Sequence, residues 1–225
     1  MFSIYELLYL VKILDYYEPG LVSIIEYYIN TYTFKTNEEL KDGVNLWCNT
    51  NKESINKNGH ISYWSSFKIT DMFDLFRHKS EFNEDISRWD VSNVTNMYNM
   101  FNYNESFNQS IDSWDVSNVT NMGYMFMDAI NFNKPLNNWN TSKVTNMSCM
   151  FDNAKSFNQP LDNWNTINVK SMHFMFSNVL NFNQSLCSWN ISNVINISFM
   201  FPNTTLFIQN QQETIKHFTL NKFYK

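Results

Sequence analysis

Apolar residues in this chain recur at fixed places in a unit of 25 residues, written five times over 82–206 without insertion or deletion. Numbering the unit from its Phe, position 1 is Phe82, Phe107, Phe132, Phe157 and Phe182, and Phe207 keeps the register once more. Position 5 is Ile or Leu, position 13 is Val, position 16 is Met until Ile197, and positions 19 and 20 are Met-Phe in every full copy. Position 8 is Trp89, Trp114, Trp139, Trp164 and Trp189, and Trp64 carries the period back one further unit. A fixed period of this length marks a protein of stacked units, each of which buries its apolar side only against its neighbours. Positions 13, 16, 19 and 20 have helical spacing and predict a short helix or 3₁₀ turn, with Asn, Ser or Thr at 11–15 as caps. Positions 4–8 predict a short strand. Pro135 and Pro160 at position 4 suit only the start or edge of such a strand.

The flanking segments read differently. Ile4, Leu7, Leu8, Val11 and Leu14, then Leu21, Ile24, Ile25 and Tyr28, predict two helices over 4–30, broken at Pro19-Gly20. Thr36 with Glu39 fits a capping box opening a third helix, with Leu40, Val44 and Trp47 on one face. Gly59 marks the turn into a degenerate repeat over 59–81 that keeps Ile61, Trp64, Met72, Leu75 and Phe76. Toward the end the pattern decays: position 14 becomes Lys170 and Ile195, and Pro202 follows the last Met-Phe. Residues 209–225 read as a short capping helix and a basic tail. The expected organisation is a helical cap over 1–58, about six repeats over 59–206, and a C-terminal cap over 207–225. Its class is an α/β repeat, a solenoid of short strands and short helices resembling the leucine-rich-repeat coil.

Composition sharpens this picture. Hydrophobic residues make up 44% of the chain, ample for a core, but charged residues only 16%, so the polar surface is Asn, Ser and Thr. With four glycines in the chain, tight turns must rely on Asn, the next most tolerant of left-handed backbone. An Asn column at position 2 (Asn83, Asn108, Asn133, Asn158, Asn183) is expected to bond the backbone of the adjacent unit. The net charge is −5, and no basic stripe alternates with aromatics, so nucleic acid is not an expected partner. Cys48, Cys149 and Cys187 form no even framework and read as thiols in a reducing compartment. Glu6, Lys12, Asp15 and Glu18 interrupt the first apolar run, which argues against a signal peptide or a membrane span. An intracellular location, in host cytoplasm or virion, is the resulting expectation.

No chemistry-bearing constellation emerges. His60, His78, His173 and His217 share no repeat position and no metal-ligand spacing. No nucleophile elbow and no glycine-rich phosphate loop occurs. Asp90 and Asp115 at position 9, with Asp85, Asp112 and Asp162, could line an acidic face, but position 9 turns to Asn140, Asn165 and Asn190, unlike a calcium repeat. No cofactor, metal or catalytic residue is expected. Polar, variable side chains at positions 3, 4, 6, 7 and 9 point to a protein partner, with contacts from Glu84, Arg88, Asp90, Asp112, Asp115 and Lys134.

The repeat WDVSNVTNMxxMFxxAxxFNQxL, visible at 114–136 and with changes in every copy, resembles the BspA-type leucine-rich repeat. That family is frequent in bacterial surface lipoproteins, including those of mycoplasmas, and in giant DNA viruses of amoebae. The leader EELKDGVNLWCNTNKESINKNGHISYWSSFKITDMFDLF at 38–76 is similar to the segment preceding these repeats in the viral and mycoplasma members. The resemblance covers about 38–206. It implies a right-handed solenoid and a role as adhesin or protein-binding scaffold, and it supplies no catalytic residues. Some viral members carry an F-box before the repeats. Residues 1–30 invite that comparison, and with it the alternative of a ubiquitin-ligase substrate adaptor. The missing secretion signal favours a viral-type member over a surface adhesin.

Overall fold

The computed structural model describes residues 32–50, 54, 57–210 and 216. The helices expected over 4–30, and most of the tail over 211–225, lie outside these residues.

The apolar columns point inward. Phe at position 1, Trp at 8, Val at 13 and Met-Phe at 19–20 are buried in the copies from 82 to 181. Identical rings meet their counterparts 25 residues away. The position-20 rings, from Phe76 to Phe201, stack with centroids 5.4–5.8 Å apart. The position-1 rings, from Phe82 to Phe207, stack at 5.6–6.2 Å. Where one copy passes into the next the two columns touch, at 4.0 Å for Phe101 and Phe107. Each Trp adds a polar tie: its indole N–H donates to the position-5 carbonyl of the preceding copy, at 2.9–3.2 Å from Trp89 to Trp189. Burying an indole is worth about 4–6 kcal/mol by area, and the bond keeps its N–H from being stranded.

The backbone between these columns is made of turns, where the sequence pattern predicts a strand and a helix. At positions 5–8 a four-residue turn is closed by Trp89 N–H on the Ile86 carbonyl, and likewise in the next four copies. A second turn spans positions 10–13, a third 16–19 and a fourth 20–23. Parallel bridges between copies occur at position 15, linking Asp71, Asn96, Asn121, Asn146, Ser171 and Asn196 in succession. The reason lies in the polar residues. Asp or Asn at position 9 accepts the N–H two residues on, as Asp90 does from Ser92 and Asn140 from Ser142. Asn96, Asn121, Asn146 and Asn196 do the same at position 15. These side chains offer the backbone a local turn in place of a ladder.

Copies are joined by two sets of backbone bonds that run in opposite senses. The N–H groups of positions 16, 18, 20 and 22 donate to the carbonyls of positions 15, 17, 19 and 21 in the next copy; Met97, Asn99, Phe101 and Tyr103 reach Asn121, Gly123, Met125 and Met127 at 2.9–3.0 Å. Positions 14 and 25 donate backward, as Thr120 N–H does to Thr95. The Asn column at position 2 ties a further edge: each side-chain oxygen accepts the position-2 N–H of the following copy, at 2.8–3.0 Å. Position-12 amides bond position-11 carbonyls of the copy before, as Asn118 does with Ser92.

At the N-terminal end, α1 (Asn37–Asn49) crosses the first layer. Thr36 caps it, accepting from Glu39 N–H at 3.1 Å. Glu39 reaches back one residue further than the capping box requires, to Lys35 N–H and the Tyr32 hydroxyl. Those bonds hold its carboxyl below the usual range. Leu40, Val44 and Trp47 enter the core. The Asn37 side chain accepts from Thr70 and Asp71, Lys41 lies over Phe73, and Trp47 meets Trp64. At the other end, α2 (Thr205–Asn210) begins within the last copy, and Phe207 is buried.

Candidate interaction surface

Positions 18 and 22 of every layer adopt left-handed backbone without glycine. They are Asp74, Asn99, Tyr124, Cys149, Phe174 and Phe199, then His78, Tyr103, Asp128, Asn153, Asn178 and Asn203, all with φ between 53° and 60°. Such a conformation costs roughly 1–2 kcal/mol for a side chain that is not Asn or Asp. It closes the 16–19 and 20–23 turns and aims alternate N–H groups along the stack, so bonds to the next layer offset the cost.

Of the residues at 17 and 18, Phe73, Tyr98, Tyr124, His173, Phe174 and Phe199 are at least half-open and form a broken stripe, while Asn99, Gly123, Ser148 and Cys149 are buried. Phe73 stacks on Tyr98 at 5.7 Å, and Tyr98 meets Tyr124 at 5.2 Å. Tyr98 also lies over Gly123, where a Cβ would come within 3.1 Å of the ring and 2.7 Å of Asn146 Nδ2. Contact with the Cys149 thiol, and then burial, push the Tyr124 hydroxyl up to about 12. Burial raises the Cys149 thiol as well. Further along, Ser171 replaces Asn at position 15 and its hydroxyl meets His173 Nδ1 at 3.1 Å. Phe174 stacks under Phe199 at 5.1 Å. The stripe is partly open, Phe73 being 42% and Phe199 68% exposed.

The charged residues expected to make contacts are placed elsewhere, and no hydrogen bond or ion pair joins any two of the six. Asp90 and Asp115 are exposed but serve their own turns; the bonds from Ser117 hold the Asp115 carboxyl below the usual range. Asp112 accepts from the Asn138 backbone and side-chain amides in the next layer. Arg88 reaches over Tyr63 at 5.7 Å. Lys134 is half-buried at position 3, where Gln109, Gln159 and Gln184 bond the preceding Asn. Glu84 lines a cavity of about 380 Å³ with Trp47, Cys48, His78 and Lys79. The interchange of Asp and Asn at position 9 was the signal that these oxygens act as acceptors. The stripe carried no comparable signal, because neither position 17 nor position 18 keeps one residue type through the layers.

Among the described residues, no group of three His, Cys, Asp or Glu is placed to hold a metal ion, and no helix is long and apolar enough to cross a membrane. A family model described as Mycoplasma protein of unknown function, DUF285, matches residues 44–144 and again 132–222. No curated protein and no solved structure matches the chain.

Proposed function

The chain belongs to this DUF285 family of repeat proteins, and on that premise we infer that it is a non-enzymatic protein-interaction scaffold, built as a right-handed leucine-rich-repeat-like solenoid of BspA type. One observation carries the reading. Inward positions and turn acceptors repeat from layer to layer, while positions 17 and 18 change residue in nearly every layer and are open at Phe73 and Phe199 and half-open at Tyr98, Tyr124, His173 and Phe174. A fixed frame with a variable, aromatic-rich face is what recognition of another protein requires, since aromatic side chains supply large contact area at low entropic cost. Six layers at strand spacing would extend roughly 25–30 Å, enough for one partner. The ubiquitin-adaptor reading rests on residues 1–30, outside the described residues, and no observation favours it.

The test compares the full chain with a variant carrying Tyr98→Asn, His173→Asn and Phe174→Asn, each immobilised and exposed to extract of the source cells. Asn tolerates the left-handed backbone at position 174, so the frame is expected to persist. Retention of a discrete protein by the native chain and its loss with the variant is the expected result. Retention of nothing, or of the same proteins by both, would refute the proposal.

A further inference from the structure

The row of parallel bridges at position 15 stops at Asn196. In each earlier layer the groups on either side of that bridge are satisfied by the layer that follows. Thr95 C=O accepts from Thr120 N–H at 2.8 Å, and Met97 N–H donates to Asn121 C=O at 2.9 Å. In the last layer the equivalent Ile195 C=O and Ile197 N–H meet no partner among the described residues. Their neighbours turn back to the preceding layer, Ile195 N–H to Lys170 C=O at 2.7 Å and Asn196 C=O to Met172 N–H at 2.8 Å. The edge therefore offers one acceptor and one donor, two residues apart.

That arrangement is self-complementary. About a two-fold axis through a non-hydrogen-bonded antiparallel pair, the N–H after the central residue bonds the carbonyl before it on the other strand, and the reverse. Asn196 set against Asn196 of a second copy closes both open groups of both chains. The same register places Ile195 across from Ile197, twice. These are the two positions of this stretch at which the last layer departs from the pattern: Ile195 stands where earlier layers carry Thr or Lys, and Ile197 where they carry Met. Both changes are to β-branched apolar residues, which pair well across strands. Ile195 is 82% exposed and Ile197 is half-buried beside it.

We propose that the chain pairs with a second copy through this edge, about a two-fold axis at Asn196, with two exchanged backbone bonds and two Ile195–Ile197 contacts at its centre. Charge favours this occupant. No Asp, Glu, Lys or Arg occurs from 171 to 212, against fourteen over 82–170. Open sheet edges are ordinarily guarded by charge, and this one carries none to repel its own image. A head-to-tail contact would need the opposite end, where the Asn37 side chain already accepts Thr70 N–H at 3.1 Å and Lys41 lies over Phe73. A two-fold contact closes on itself and stops at two chains. The proposal stands apart from the scaffold reading; where both hold, pairing joins two recognition stripes in one particle and adds avidity.

Sedimentation of the full chain, with amide exchange on isotope-labelled samples, tests this. A contact of this size lies at the weak end of protein interfaces, so dimer is expected to appear between about 10 μM and about 1 mM chain. Over that range exchange at Ile197 N–H is expected to slow about tenfold, while Met172 N–H stays slow throughout. Ile195→Lys puts on the edge the residue that Lys170 supplies one layer earlier. It is expected to weaken pairing at least about tenfold, with the thermal midpoint of the dilute chain unchanged because the side chain is exposed. Asn196→Cys, made together with Cys187→Ser, sets two thiols at the axis, where Cα atoms about 4.5 Å apart suit a disulfide. Oxidised glutathione is expected to yield a covalent dimer from that chain and none from Ser192→Cys in the same background. A chain that stays monomeric throughout, Ile197 exchange already slow in the dilute monomer, or oligomers growing past two would each overturn the proposal. So would pairing undiminished by Ile195→Lys, or equal cross-linking at 192 and 196.

Discussion

Asn104 sits at position 23, fully buried, with no partner for its side-chain Nδ2. The next copies place Ala129, Ala154 and Val179 there, all fully buried. In those copies the following Phe N–H bonds the position-23 carbonyl, at 3.0 Å for Phe132 on Ala129 and Phe157 on Ala154. In the first copy Phe107 N–H turns instead to the Asn104 side-chain oxygen, at 3.2 Å. Asn104→Ala therefore exchanges one bond for the backbone bond its neighbours make and removes a stranded donor. A buried unsatisfied group costs about 1–3 kcal/mol. Some packing is lost with the amide, so the net expectation is about 1–2 kcal/mol of added stability, or about 2–8 °C in Tm for a chain of this size. Urea titration followed by tryptophan fluorescence measures it as a raised midpoint. The reciprocal Ala129→Asn buries an amide that the layer cannot satisfy and should cost about 2–3 kcal/mol. A lowered midpoint for Asn104→Ala, or shifts of the same sign for both variants, would refute the idea that the layers are interchangeable at this position.

Trp139→Phe leaves the Ile111 carbonyl, now bonded at 3.0 Å, without its donor and should cost about 2–4 kcal/mol, read from the denaturation midpoint. Gly123→Ala pushes a Cβ against Asn146 Nδ2 and the Tyr98 ring; overpacking of about 1–3 kcal/mol is expected, with altered Tyr98 ring signals in NMR spectra. Burial raises the Asp152 carboxyl above its ordinary value. Its stabilising share is therefore present below the ordinary carboxylate range and lost as pH rises through the raised value. Asp152→Asn should accordingly be more stable than the native chain at neutral pH, with the gap closing on acidification; a gap that widens toward acid would contradict this.

The period, the buried columns and the capped start of α1 could be read from residues whose chemistry tolerates few alternatives. Trp139 or Phe126 in a 25-residue register has nowhere to go but inward. The turns were harder to see because their cause is distributed. Asn96 at position 15 and Asp90 at position 9 look like side chains that only face water until their bonds to Tyr98 and Ser92 are known. Helical spacing at 13, 16, 19 and 20 suggested a helix, yet left-handed residues at 18 and 22 break any helix there. Tyr124, Cys149 and Phe174 give no local hint of that backbone, which the bonds between layers impose. The same blindness hid the stripe, while the charged side chains that drew attention, Asp90, Asp112 and Asp115, are engaged in turns and interlayer bonds.

Because each layer's upper surface is chemically the same as the one beneath it, the molecule has no preferred length. Removing or inserting 25 residues anywhere between the ends would rejoin matching halves, since Asn83 holds Asn108 in the same way that Asn133 holds Asn158. A shift of one residue would set Trp against a polar side chain all the way along, Asp or Asn at position 9. Such a gene can grow or shrink by unequal crossing-over in whole periods, gaining reach with each step and needing no newly invented joint.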